Sequence, residues 1–242
     1  MRWRGRERSE NVEDRRMSGP ARLVIGGGGL LTLIIAIVAI FLGADPQQAV
    51  QMVDVQPAPM APGRQAPGAD DEAREFIEVV MKDLENVWTK LFREHVQGGD
   101  YIPPKLVMFS GQVQSGCGIA NAAMGPFYCP VDRQVYIDPV FFDELHRRHN
   151  APGDFAQAYV IAHEVGHHVQ KLLGFSDIVE RVRMSGNQEE GNRASVRLEL
   201  QADYLAGVWA HHAQRNYGIL EEGDIGEAMN AANQIGDDTL QK

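Results

Sequence analysis

Cysteine is scarce in this chain, with two among 242 residues. That is too few for a disulfide scaffold or a four-thiolate metal site. An excess of positive charge is missing as well. Thirty-three acidic residues against 23 basic ones give a formal charge of −10, and a chain-wide nucleic-acid footprint would need a strongly basic face. The mean hydropathy of −0.28 excludes a polytopic membrane protein, and the sequence has no internal repeat. With 44% hydrophobic and 23% charged residues, the composition is that of a globular chain, and its length suits one domain with appendages.

The basic residues are unevenly placed. Residues 1–22 hold seven arginines and four acids, a net charge of +3, which leaves −13 for the remainder. Next comes Leu23 to Gly43, 21 residues without a charge. About 20 apolar residues cross a bilayer, so this run predicts one transmembrane helix. A cleaved export signal is the alternative, but the run is longer than the usual signal-peptide core and ends in a poor cleavage site. The arginines on its N-terminal side place residues 1–22 in the cytoplasm by the positive-inside rule. The chain beyond residue 43 is then expected outside, in a periplasmic or extracellular space. Residues 44–70 contain five of the twelve prolines among Gln, Ala and Gly with no apolar period, as expected of a semi-extended linker.

A folded domain is expected over 71–242. Phe76, Val79, Val80, Leu84, Val87, Trp88 and Leu91 recur at helical steps, predicting an amphipathic helix over 71–95. Lys105 to Phe109 reads as a strand, and residues 126–129 with 134–137 read as a hairpin. A short helix is expected over 138–146. Another helix starts at a capping Asp154 and stops at Gly174, and residues 175–193 after it contain a polar stretch, Ser185 to Asn192, that reads as an exposed loop. A long helix covers 194–215, and acidic and small residues fill the tail. The predicted class is α+β, mainly helical with a small antiparallel sheet.

His163-Glu164-Val165-Gly166-His167 is an HExxH pattern in the middle of an amphipathic helix. Four residues advance a helix by about 1.1 turns, so His163 and His167 stack on one face and can converge on one ion. Glu164 lies one step round, within reach of a water at that ion. A catalytic zinc takes three protein ligands and leaves a fourth position open. Glu199 and Asp203, again four apart, offer the rest. Glu199 can complete a His₂Glu set, and Asp203 can fix a histidine tautomer from behind; Asp203 or a residue outside this helix is the other candidate for third ligand. His146, His168, His211 and His212 receive no role.

Together these segments resemble the YpfJ-type neutral zinc metallopeptidase family of bacterial inner-membrane proteins. The resemblance rests on Met1 to Arg6 with Asn11 to Arg16, on Cys117-Gly118 and Gly125 to Pro130, on Val135 to Asp138, and on the helices holding Ala162–Gln170 and Glu199–Ala210. It departs at Tyr204, where cysteine is common, and members of the family run some tens of residues beyond the position of Lys242. The wider gluzincin group pairs HExxH with a downstream ExxxD. The resemblance thus implies a zincin-like domain holding one Zn²⁺, with Glu199 as third ligand and Asp203 behind His163.

The expected activity is hydrolysis of a peptide or protein substrate by a metal-activated water, with Glu164 as general base and then general acid. A catalytically idle metal-binding adaptor displayed at the membrane surface is the competing reading. The residues do not identify an oxyanion donor, and Tyr128, Tyr159 and Tyr217 are the candidates. Cys117 and Cys129 can close a loop of about 13 residues in an oxidising space; two free thiols are the alternative. The lipid bilayer is the second expected partner, and no nucleic acid is expected.

Overall fold

The structure, a computed structural model, describes residues 1–16, 72–142, 145 and 153–235. The expected membrane helix (23–43) and linker (44–70) lie outside the described residues, as does most of 143–152. Among the described residues no helix is long and apolar enough to cross a membrane.

The chain order is β1 (Val12–Asp14), α1 (Glu72–His95), β2 (Lys105–Met108), β3 (Gln112–Ser115), β4 (Gly118–Asn121), β5 (Phe127–Cys129), β6 (Gln134–Ile137), α2 (Asp154–Leu172), α3 (Phe175–Met184), α4 (Gln188–Tyr217) and α5 (Asp224–Ile235). The class is α+β and mainly helical. The principal sheet, however, is mixed rather than antiparallel. Its order is β1-β2-β6-β5, with β1, β2 and β6 parallel and only β5 antiparallel to β6. The β3–β4 hairpin forms a second sheet of two strands.

Residues 1–16, part of the basic block 1–22 expected on the cytoplasmic side, belong to the same compact unit as residues 72–235. Val12 pairs with Leu106 and Asp14 with Met108, so β1 covers what would otherwise be an open edge of β2. Trp3 is buried, and its ring meets Phe76 edge-on at 5.4 Å. The apolar stripe on α1 is buried as its spacing requires, but so are Glu78, Asp83 and Glu85 on the same helix. Periodicity gives no reason for that; the N-terminal segment does. Both guanidinium nitrogens of Arg6 donate to Asp83 at 2.6 Å. Ser9 Oγ and Asn11 Nδ2 both donate to Glu85, the latter at 2.8 Å.

The C-terminal half also departs from expectation. The segment 175–193 is not a loop: α3 starts directly after Gly174, whose φ of 80° turns the chain between the two helices. The polar stretch contains a helix start, since the Asn187 side chain accepts from the Glu190 N–H and begins α4 six residues before the expected Ala194. No residue of α3 is fully buried, which is why polarity outweighed its Phe175, Ile178, Val179 and Val182 spacing. The N-cap of α2 is Gly153, without a side-chain cap bond; Asp154 accepts from the Met1 ammonium instead. The tail, finally, folds as α5 and buries Ala231.

One core joins these elements. α1, β2, β6, α2 and α4 meet around Ile77, Met81, Leu106, Ile137, Ile161 and Trp209, all almost wholly buried. Phe155 of α2 stacks on Trp209 of α4. That pairing of α2 with α4 brings their polar faces to one cleft.

Candidate metal centre

Two helices build the site. Along α2 the residues Phe155, Ala158, Ile161, Ala162, Val165 and Val169 are buried, and that face holds the helix against the core. His163 and His167 fall on the adjoining face, partly exposed, with ring centroids 4.8 Å apart and planes nearly perpendicular. Gly166 lies between them against α4. A Cβ there would come within 3.0 Å of the Ala202 carbonyl oxygen and 3.2 Å of its Cα. Glycine leaves room for that approach, and the Glu199 carboxylate on the same helix faces the two imidazoles.

Glu199 Oε2 lies 3.4 Å from His163 Nε2 and 3.2 Å from His167 Nε2. The three ligand atoms fall within 4.8 Å of one another. Three converging donors on a half-buried cleft wall suit zinc, leaving one position for water. Their electrostatics fit a cation as well. Burial alone would lower the His163 pKa, but hydrogen bonds to Asp203 and Glu199, together with the Glu164 charge, lift it to about 10. His167 is likewise raised: burial opposes the shift, and Glu199 and Glu164 outweigh it. Glu199 moves the other way, to about 2; its burial favours the neutral acid, and hydrogen bonds to the two histidines reverse that.

Each ligand nitrogen is backed by a partner. His163 Nδ1 meets Asp203 Oδ1 at 2.8 Å, and the Tyr159 hydroxyl donates to the same oxygen at 2.5 Å. His167 Nδ1 meets Gln170 Oε1 at 2.9 Å, while Gln170 Nε2 donates to the Leu198 carbonyl of α4 at 2.6 Å. The expected pairing of Asp203 with His163 is therefore present in the geometry. Gln170 is a further positioning residue that motif reading passed over. Its signal was its place one helical turn after His167.

Glu164 is nine-tenths buried and lines the cleft with both histidines. Burial pushes its carboxyl up; His167 and His163 pull it down, Glu199 pushes it up again, and the Tyr128 backbone, facing it across the cleft, pulls it down. The cleft holds about 270 Å³ and is walled opposite α2 by Gly125, Pro126, Phe127 and Tyr128. That wall leads into β5, the outer strand of the mixed sheet among the described residues. The hairpin expected over 126–129 and 134–137 thus borders the cleft through its first strand.

The tyrosine candidates separate clearly. Tyr128 bonds through its hydroxyl to His168 Nδ1 at 3.0 Å, and His168 Nε2 meets the Ile102 carbonyl at 2.8 Å. A carbonyl only accepts, so Nε2 carries the proton and Nδ1 accepts from Tyr128. His168, given no role from sequence, is a buried post for the cleft wall. Tyr159 is committed to Asp203, and Tyr217 lies under Arg6 as a cation–π partner at 4.5 Å. Of the other histidines, His211 and His212 meet edge-on at 5.3 Å on the last turns of α4, apart from this cleft, and His146 lies outside the described residues. Cys117 is bonded to Cys129, tying the β3–β4 turn to the end of β5. A second carboxylate group is Asp154, Asp224 and Glu227; the Met1 ammonium pairs with Asp154 and lies 3.3 Å from Glu221 and 3.5 Å from Asp224.

The family model described as "Putative neutral zinc metallopeptidase" matches residues 1–242. The uncharacterized protein YpfJ of Escherichia coli K12 is 48% identical over an alignment of 251 residues, which covers 100% of this chain and 85% of the relative. The uncharacterized protein Mb2605 of Mycobacterium bovis is 39% identical over 220 residues, covering 84% of this chain and 72% of the relative. No solved structure matches the chain.

Proposed function

The chain belongs to that metallopeptidase family, and we propose that it is a zinc-dependent peptidase in which His163, His167 and Glu199 hold one Zn²⁺ and Glu164 is the general base. The observation that carries this reading is the convergence of His163 Nε2, His167 Nε2 and Glu199 Oε2 within 4.8 Å, with a buried carboxylate beside them in the same cleft. Zinc bound there supplies Lewis acidity toward water and toward an amide carbonyl.

The residues of the chain do the remaining work. Glu164 accepts a proton from the attacking water and delivers it to the departing amine nitrogen. Its raised pKa suits the first half of that exchange, because a more basic carboxylate takes the water proton more readily. Asp203 and Gln170 hold the imidazoles so that both Nε2 atoms point at one place. Among the described residues β5 is the outer strand of its sheet beside the cleft, the position that β-augmentation by an extended peptide requires. The proposed substrate is therefore a peptide or an extended protein segment. The apolar run at 23–43 gives the bilayer as second partner, and the Cys117–Cys129 bond fits a body on the oxidising side of an inner membrane.

The test is turnover of a mixed peptide library by the zinc-loaded full chain, with and without a chelator, for the wild type and Glu164→Gln. The variant should keep its zinc and lose hydrolysis by a factor of about 10² or more. Equal turnover in the variant would remove Glu164 from the chemistry. Zinc binding without turnover in the wild type would leave the metal-bound adaptor instead.

A further inference from the structure

The sequence and the packing disagree about where residues 1–16 lie. An apolar run of 21 uncharged residues at 23–43 separates them from the body, and a single crossing would leave the two on opposite faces of a bilayer. Yet the first 16 residues are part of the body. β1 is hydrogen-bonded in register to β2, Trp3 is buried against Phe76, and Arg6 closes a two-bond pair on buried Asp83. Placing them across a membrane would expose the β2 edge and take from Asp83 and Glu85 the partners that they have in the N-terminal segment.

The arginines also fail as a sidedness signal. Arg4 pairs with Glu72, Arg6 with Asp83, Arg8 with Glu75, Arg15 with Glu13 and Arg16 with Asp14, and Arg2 donates to the Leu220 carbonyl. The positive-inside rule concerns cationic loops that lie free beside a span. Here the cations are matched within one folded unit. A second crossing would restore the packing, but residues 44–71 contain Asp45, Asp54, Arg64, Asp70, Asp71 and five prolines and offer no second run of roughly 20 apolar residues. Nor are 21 residues enough for two crossings, which need about 40.

We propose that residues 1–16 and 72–235 stay together on one side of the bilayer. This replaces the arrangement expected from the arginine block, with the N-terminus inside and the catalytic body outside. It does not depend on the peptidase reading.

The test uses the full chain in native membranes, with either Glu10→Cys in the N-terminal segment or Glu189→Cys on α4, both at exposed positions. The native cysteines are joined to each other and leave no background thiol. A membrane-impermeant maleimide is applied to intact spheroplasts and to everted vesicles. Labelling of both positions in the same preparation, with the chain retained on membranes through a carbonate wash, is the expected result. Labelling in opposite preparations would overturn the proposal, as would recovery of the chain in the carbonate supernatant.

Discussion

His163 Nδ1 lies 2.8 Å from Asp203 Oδ1, and the opposite ring nitrogen of His163 faces Glu199. One residue of α4 thus fixes the imidazole from behind while another, one turn earlier, meets it in front. The carboxylate in back selects the tautomer with its proton on Nδ1, so Nε2 is free to bind a cation.

Asp203→Asn tests that role. The amide keeps the size of the side chain and removes its charge. Zinc affinity, read by competition with a chromophoric chelator, should fall about 10- to 100-fold, with little change in far-UV circular dichroism. Unchanged affinity would separate Asp203 from the metal site.

Gly166→Ala tests the close approach of the two helices. Its methyl would lie within 3.0 Å of the Ala202 carbonyl oxygen, so α4 must give way and take Glu199 with it. The strain of about 1–3 kcal/mol meets a helix-propensity gain of about 1 kcal/mol. The same chelator competition should show weaker zinc binding, even if stability barely moves. Gly207→Ala on α4 is the control. A Cβ there meets nothing within 4 Å, so that variant should gain stability and keep its zinc affinity.

Arg6→Ala tests the N-terminal segment as part of the core. It leaves Asp83, only 3% exposed, without its guanidinium. Losing one partner of a buried pair costs about 3–5 kcal/mol, to be read from urea unfolding. Adding Asp83→Asn should recover part of the loss, since it removes the stranded charge.

The disulfide gives a fourth outcome. Replacing Cys117 and Cys129 together by alanine should lower stability by about 3 kcal/mol, as expected for a closed loop of this length. Because the bond sits on the β3–β4 turn and not on α2 or α4, zinc affinity should stay unchanged.

The spacing of residues by itself determined the helix carrying His163, Glu164 and His167, and put Glu199 and Asp203 on one face of the next helix. Those relations are local, set by 3.6 residues per turn, and hold wherever the helices go. The pairing of Cys117 with Cys129 was legible too, because only two cysteines exist. Tertiary structure decided the rest. Whether α2 and α4 meet, and how closely, depends on the missing side chain at Gly166 and on packing around Phe155 and Trp209. The roles of Gln170 and His168 depend on what faces them: the Leu198 carbonyl in one case, Tyr128 and the Ile102 carbonyl in the other. The placement of residues 1–16 was least accessible of all. Their arginines look like a free cationic arm until Glu72, Glu75 and Asp83, which lie some 70 residues further along the chain, are brought against them. Contacts that distant leave no period in a sequence, because nothing in local backbone geometry links their positions.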